Sequence, residues 1–194
     1  MHPFSFYLTL GFDHISDLAA YDHLLFLVAL CAVYRIEHWK NVLILVTAFT
    51  VGHSLTLALA ATDSITVPSK LIEFLIPTTI LLTALHNLFR DDSVGPPPQM
   101  GQNYFMALFF GLIHGMGFSN YIRALLMGDS AGFVPLLGFN VGFERGQLLV
   151  VLIIVSVSFF LVNLIKVRFR DWNVFVSGVA SGLSLLLMLE NRFW

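Results

Sequence analysis

The chain has 194 residues, of which 57% are hydrophobic and 11% charged, and its mean hydropathy is +0.83. Soluble domains carry about 25% charged residues, so a water-soluble monomer and a disordered chain are both excluded. Ten Lys and Arg against twelve Asp and Glu leave no basic excess for a nucleic acid partner, and the one cysteine, Cys31, forms neither an intrachain disulfide nor, alone, a thiolate metal site.

Residues 1–14 are expected to be a short extracytoplasmic or interfacial segment. Its apolar part, Phe4 to Phe12, is too short to span a bilayer and either lies in the interface or re-enters the bundle. No cleavable signal peptide is expected, since a charged leading region is missing. Six longer apolar segments follow, from Ile15 to Tyr34, Asn41 to Ala61, Lys70 to Phe89, Tyr104 to Met127, Leu137 to Ile165 and Trp172 to Leu189. Each approaches the roughly 20 residues a membrane helix needs, and none shows the alternation of a barrel strand. The fold class is therefore an all-α transmembrane bundle, a single domain over 1–194. The breaks RIEHWK, TDSITVP, RDDSVGPPPQMGQ, GDSAGFVP and KVRFRDW carry turn chemistry, and Pro96–Pro98 reads as a stiff extended spacer.

Arg35, Lys40, Arg90, Lys166, Arg168 and Arg170 all fall after the first, third and fifth segments. Cytoplasmic loops are enriched in Lys and Arg, which places those loops in the cytoplasm and both termini outside.

Ionisable groups inside a bilayer are costly and mark functional sites by default. Asp22-His23 in YDHLLF, His53 in FTVGHSLTL, His114 in GLIHGMGF and Glu144 in GFNVGFERGQ lie on four different segments. At about 1.5 Å per residue, Asp22, His23 and Glu144 stand roughly 9 to 12 Å below the outer boundary, and His53 and His114 lie roughly 15 to 18 Å from the inner one. Asn140, Glu144 and Gln147 share one helical stripe. Gly138, Gly142 and Gly146 form a small-residue strip on roughly the opposite side, where another helix can approach. Gly111, Gly115 and Gly117 flank His114 and are expected to leave room beside its ring.

Neutral imidazoles with carboxylates suit zinc, nickel, copper or iron rather than magnesium or calcium. The expected ligands are His23, His53, His114, Asp22 and Glu144, with Asp22 either a ligand or the group that orients an imidazole. Asp13, His14 and Asp17 form an acidic funnel at the mouth, and Ser54, Asn140 and Gln147 support the site. Glu73 reads as interfacial and His86-Asn87 as a capping or packing pair. The nineteen Phe residues read as lipid-facing and core-filling.

The segments GFDHISDLAAYDHLLFLVAL, FTVGHSLTLALA, IEFLIPTTILLTALHNL, GLIHGMGF and LLGFNVGFERGQL resemble the signature segments of the HupE/UreJ family, over nearly the whole chain. The resemblance implies a multi-pass protein of the bacterial inner membrane and a nickel or cobalt permease. Carried over motif by motif, it gives Asp22, His23, His53, His114 and Glu144. Arg145 departs from the pattern, which has an apolar residue there, and a cation beside Glu144 lowers its readiness to bind metal.

Three functions fit these residues. A divalent-metal permease would collect the ion at Asp13, His14 and Asp17 and release it inward, as further copies of the chain or a large rearrangement allow. Against this, the inner halves of the helices look apolar and no inverted repeat is visible. A zinc hydrolase of lipid, amide or peptide bonds would use Asp22 or Glu144 as base, with Ser54 near an oxyanion. A non-catalytic accessory protein would keep metal in its core.

Overall fold

A computed structural model describes residues 3–17, 21–62, 64–65, 67–90, 100–126 and 133–192. Pro96–Pro98 and most of the GDSAGFVP break lie outside the described residues. The order is α1 (Phe4–Ser16), α2 (Tyr21–Cys31), α3 (Trp39–Ala61, after a 3-10 turn at Ile36–His38), α4 (Ser69–Leu88), α5 (Met100–Leu126), α6 (Phe133–Phe159) and α7 (Phe169–Glu190). There is no strand among the described residues.

Local chemistry sets several of the ends. Pro68 immediately precedes α4, and Pro135 sits in the first turn of α6, where a missing N–H costs nothing. Pro77 lies inside α4 and removes one i→i−4 hydrogen bond there. The chain leaves α6 through a π-helical turn at Phe160–Leu164 and then Lys166, whose φ of 66° is left-handed.

One sequence expectation fails. Ile15 to Tyr34 is not a continuous helix: its first residues belong to α1, and α2 starts at Tyr21 with its axis turned by 66°. Hydropathy cannot register the break, since no Pro or Gly marks it. Among the described residues five helices are long and apolar enough to cross a membrane, or six if the bent pair α1 and α2 is counted as one crossing.

The N-terminal stretch joins the bundle. Gly138 of α6 faces Phe4 and Tyr7, Gly142 faces Leu8, and Gly146 faces Ile15, so α1 runs parallel to α6 along the glycine strip. A Cβ at Gly142 would collide with the carbonyl oxygen of Leu8, which explains why backbone contact there requires glycine. The glycines of α5 serve a similar purpose. Gly111 lies against the Phe49 carbonyl and Gly115 against that of His53, so α3 fills the space the sequence reading left open beside His114.

Arg35, Arg90 and Arg170 gather at one end of the bundle. Arg35 lies over the Phe169 ring at 4.7 Å, and Arg170 donates to the Arg90 carbonyl. Just inside this basic face, Asn87 donates to the Ala29 carbonyl at 2.7 Å, while its own carbonyl accepts from Asn173 at 3.1 Å. These bonds tie α4 to α2 and α7 and make Asn87 a packing residue.

Candidate metal centre

The break between α1 and α2 brings two imidazoles together that a straight helix would separate. His14 near the end of α1, His23 near the start of α2 and His53 in the middle of α3 each offer a ring nitrogen, and these atoms lie within 4.8 Å of one another. His23 and His53 are buried and His14 half-buried. His114 of α5, fully buried, adjoins the trio through His23, with ring centroids 5.1 Å apart.

Hydrogen bonding fixes which nitrogens point inward. Oδ1 of Asp22 accepts from the His23 backbone N–H at 2.8 Å and stands 3.1 Å from His23 Nδ1. With Nδ1 donating to the carboxylate, the lone pair is on Nε2, which is buried without a partner. On His114, Nε2 lies 2.9 Å from Thr79 Oγ1, whose own hydrogen goes to the Ile76 carbonyl at 2.7 Å. Thr79 therefore accepts from His114, and the lone pair falls on Nδ1, also buried and unpartnered. His14 Nε2 and both nitrogens of His53 are likewise buried without a partner. Buried polar groups ordinarily find partners, so several such nitrogens in one place are the signature of a site that takes a ligand. Neutral nitrogens with outward-held protons suit a divalent transition metal.

Aromatic rings make the walls. Phe143 stacks on His53 with centroids 4.4 Å apart, Phe118 lies 4.1 Å from His14, and Phe26 and Phe49 lie 5.2 and 5.1 Å from His114. Sequence reasoning missed these phenylalanines, together with Thr79. The available signal was the i, i+4 spacing of Phe49 with His53 and of Phe139 with Phe143.

The other expected residues divide. Asp13 and Asp17, both exposed, line with His14 and Phe118 an open cleft of about 580 Å3. Asp22 faces a second cleft of about 230 Å3, with Glu73, Pro77 and Asn191. Ser54 lies half-buried beside His53 on α3. Glu144 is not among the residues gathered with His14, His23 and His53. Its Oε1 accepts from Thr47 at 3.0 Å, and Thr47 precedes His53 on α3 by about 9 Å of helix rise. Gln147 accepts from Thr50 at 2.7 Å, and Asn140 Oδ1 is buried without a partner.

The half of the bundle toward the basic face is less apolar than expected. Beyond Phe26, a small cavity of about 30 Å3 is lined by Tyr34, Thr83, Asn87, Arg90 and Asn103 among apolar neighbours. Thr83, Asn87 and Arg90 follow one another at i, i+4 and i+7 along and just past α4, whereas Tyr34 after α2 and Asn103 of α5 join them only through tertiary contact.

A bundle of membrane-crossing helices around a buried, unsaturated imidazole cluster defines a multi-pass membrane protein with a candidate transition-metal site. The chain belongs to the HupE/UreJ family, whose model, described as HupE / UreJ protein, matches residues 1–192. Neither a curated protein nor a solved structure matches it.

Proposed function

We propose that the protein is a permease for a divalent transition metal, nickel or cobalt by its family and zinc by the same donor chemistry. The observation that carries this reading is the set of buried imidazole nitrogens whose lone pairs have no partner in the protein. The ion is the cargo: it is drawn into the cleft by Asp13 and Asp17, exchanges water for His14, His23 and His53, and has His114 beside it. Asp22 serves by holding His23 in the ligating tautomer. The small cavity beyond Phe26, with Thr83, Asn87, Arg90 and Asn103 among its lining, supports release toward the basic face, and the Lys and Arg of that face support reading it as the cytoplasmic side of a bacterial inner membrane, with both termini outside. Passage requires the Phe26 ring to move, because it stands between His114 and that cavity.

The hydrolase reading uses the same histidines, and the large cleft at His14 favours it by giving a substrate access. Of the two carboxylates expected as its base, Asp22 is engaged with His23, and Glu144, bonded to Thr47, is not gathered at the trio. The test is uptake: protein reconstituted in vesicles loaded with a metal-sensitive dye should admit nickel, cobalt or zinc, and His23→Ala should not. Stoichiometric metal binding without uptake by the parent would overturn the permease reading.

A further inference from the structure

The backbone contacts hold an inverted repeat that the sequence does not display. With α1 and α2 counted as one crossing, they form a first unit with α3 and α4, and α5, α6 and α7 form a second. Gly11 of α1 lies against the Phe139 carbonyl and the Phe143 backbone nitrogen of α6, as Gly111 of α5 lies against the Phe49 carbonyl and the His53 backbone nitrogen of α3. Gly142 of α6 lies against the Leu8 carbonyl, as Gly52 of α3 lies against that of Leu108. A Cβ at Gly146 would face the Phe12 carbonyl, and Thr56 donates to the Leu112 carbonyl at 2.9 Å. Two shifts relate all these pairs: 100 residues from α1 to α5 (111 less 11) and 90 from α3 to α6 (142 less 52). A shift of 100 also relates α4 to α7, which pack on each other: Ile76, Pro77, Ile80 and Ala84 are buried on one, and Val176, Ser177, Ala180 and Ser184 on the other. Because each unit crosses three times, the second is upside down relative to the first, about an axis in the membrane plane.

The units differ in their first crossings. That of the first unit turns by 66° between α1 and α2, while the equivalent stretch of α5, Gly117 to Tyr121, is continuous helix. Beside the turn, Leu10, Asp13, His14 and Asp17 line the open cleft. Their equivalents on α5 are Phe110, Ile113, His114 and Gly117, of which the first three are buried. On the basic side Phe110 lines only the small cavity of about 30 Å3.

We infer that His114 is the exit counterpart of His14: α5 bends at Gly117–Tyr121 and opens a cleft at His114 toward the basic face, while the first crossing straightens and closes the cleft at His14. Exchanging the two conformations keeps the glycine contacts, since each has its equivalent in the other unit, and that brings the second state within reach. Gly117, at the position where Asp17 ends α1, supplies the backbone freedom for the turn. His53 and Phe143 are equivalent residues whose rings stack at 4.4 Å, so His53 lies beside the axis and serves both states. Asp13 and Asp17 are matched by Ile113 and Gly117, so the entrance attracts a cation and the exit does not retain it. That the exit serves a metal rests on the permease reading; the bending does not.

The test uses the full chain carrying Cys31→Ala, in membrane vesicles of each sidedness, with an impermeant maleimide. Ile113→Cys should be labelled from the basic side, at roughly 0.1 to 10% of the rate at which Asp13→Cys is labelled from the other, the range for a minor state. Ala180→Cys, buried on α7, should be labelled from neither. Spin labels at Ala124 and Leu186, both exposed, should show two separations and give a second reading if Ile113→Cys does not fold. Asn120 donates to Ser69 at 3.0 Å, so a short bis-methanethiosulfonate across Ser69→Cys and Asn120→Cys pins the second half of α5 to α4. The bridge should cut cobalt uptake roughly tenfold or more and leave cobalt binding as in the unbridged variant. Ile113→Cys labelled no faster than Ala180→Cys, a single spin-label separation, or uptake indifferent to the bridge would each overturn the inference, the last leaving the permease reading intact. If the parent admits no cobalt, the permease reading falls and the labelling alone decides whether α5 bends.

Discussion

Gly115→Ala tests the metal centre without touching a ligand. A Cβ built on Gly115 would stand 2.6 Å from the His53 carbonyl oxygen and 3.0 Å from the His53 Cα. Ordinary contact begins at 3.4 Å, so α3 must retreat by 0.8 Å at the oxygen (3.4 less 2.6) and 0.4 Å at the Cα (3.4 less 3.0). Neither atom is the tip of a flexible side chain, and His53 moves with its backbone. Metal–nitrogen distances tolerate only about 0.2 Å. Affinity should therefore fall by about 10- to 100-fold, the range seen when groups around a ligand are disturbed, or about 1.4 to 2.8 kcal/mol. Overfilling the contact should also cost about 1–3 kcal/mol of stability. The assay is equilibrium binding of Co2+ to purified protein, followed through its visible ligand-field bands, with thermal unfolding measured alongside. The control is Gly182→Ala on α7, where an added Cβ meets nothing within 4 Å. Parent-like cobalt binding by Gly115→Ala, or an equal loss in Gly182→Ala, would refute the placement of His53 at the site.

Asp22→Asn should retain the fold yet bind metal about 10- to 100-fold more weakly, because the His23 tautomer is no longer held by a carboxylate; His38→Ala, in the turn before α3, should titrate like the parent. His114→Ala should weaken binding at every pH from 7.5 to 5, and unchanged retention would make His114 a packing residue. Ligation needs neutral imidazole, whose ordinary pKa is about 6.5, and protons compete with metal for each ring. Affinity of the parent should thus fall with acid once the rings protonate, more steeply than about tenfold per pH unit where several do so together; affinity that falls at no pH the fold survives would contradict histidine ligation. Glu37→Cys, exposed in the turn at the basic face, should resist an impermeant maleimide in intact cells, whereas labelling there would reverse the proposed orientation.

Composition and hydropathy were enough to establish a helical membrane bundle, because a bilayer admits few structures and long uncharged runs mark them directly. Most helix ends of α3, α4 and α7 follow within a few residues, since loops carry the charges and prolines. His23, His53 and His114 were legible for the same reason: imidazole within an apolar run is costly enough to be noticed singly. What the sequence could not convey is which polar residues meet. Glu144 and His53 appeared to share a pocket because depth along a helix is readable and rotation about the bundle axis is not. His14, assigned to the mouth, reaches the trio only because the chain turns by 66° between α1 and α2, a break that no Pro or Gly announces. The tautomers of His23 and His114 depend on Asp22 next door in sequence and on Thr79 thirty-five positions away. The first of these was readable as an option; the second exists only through helix contact. Local chemistry thus decided the elements and the inventory of donors. Backbone approach at Gly111, Gly115 and Gly142, which brings whole helices within van der Waals reach, decided which donors share a site.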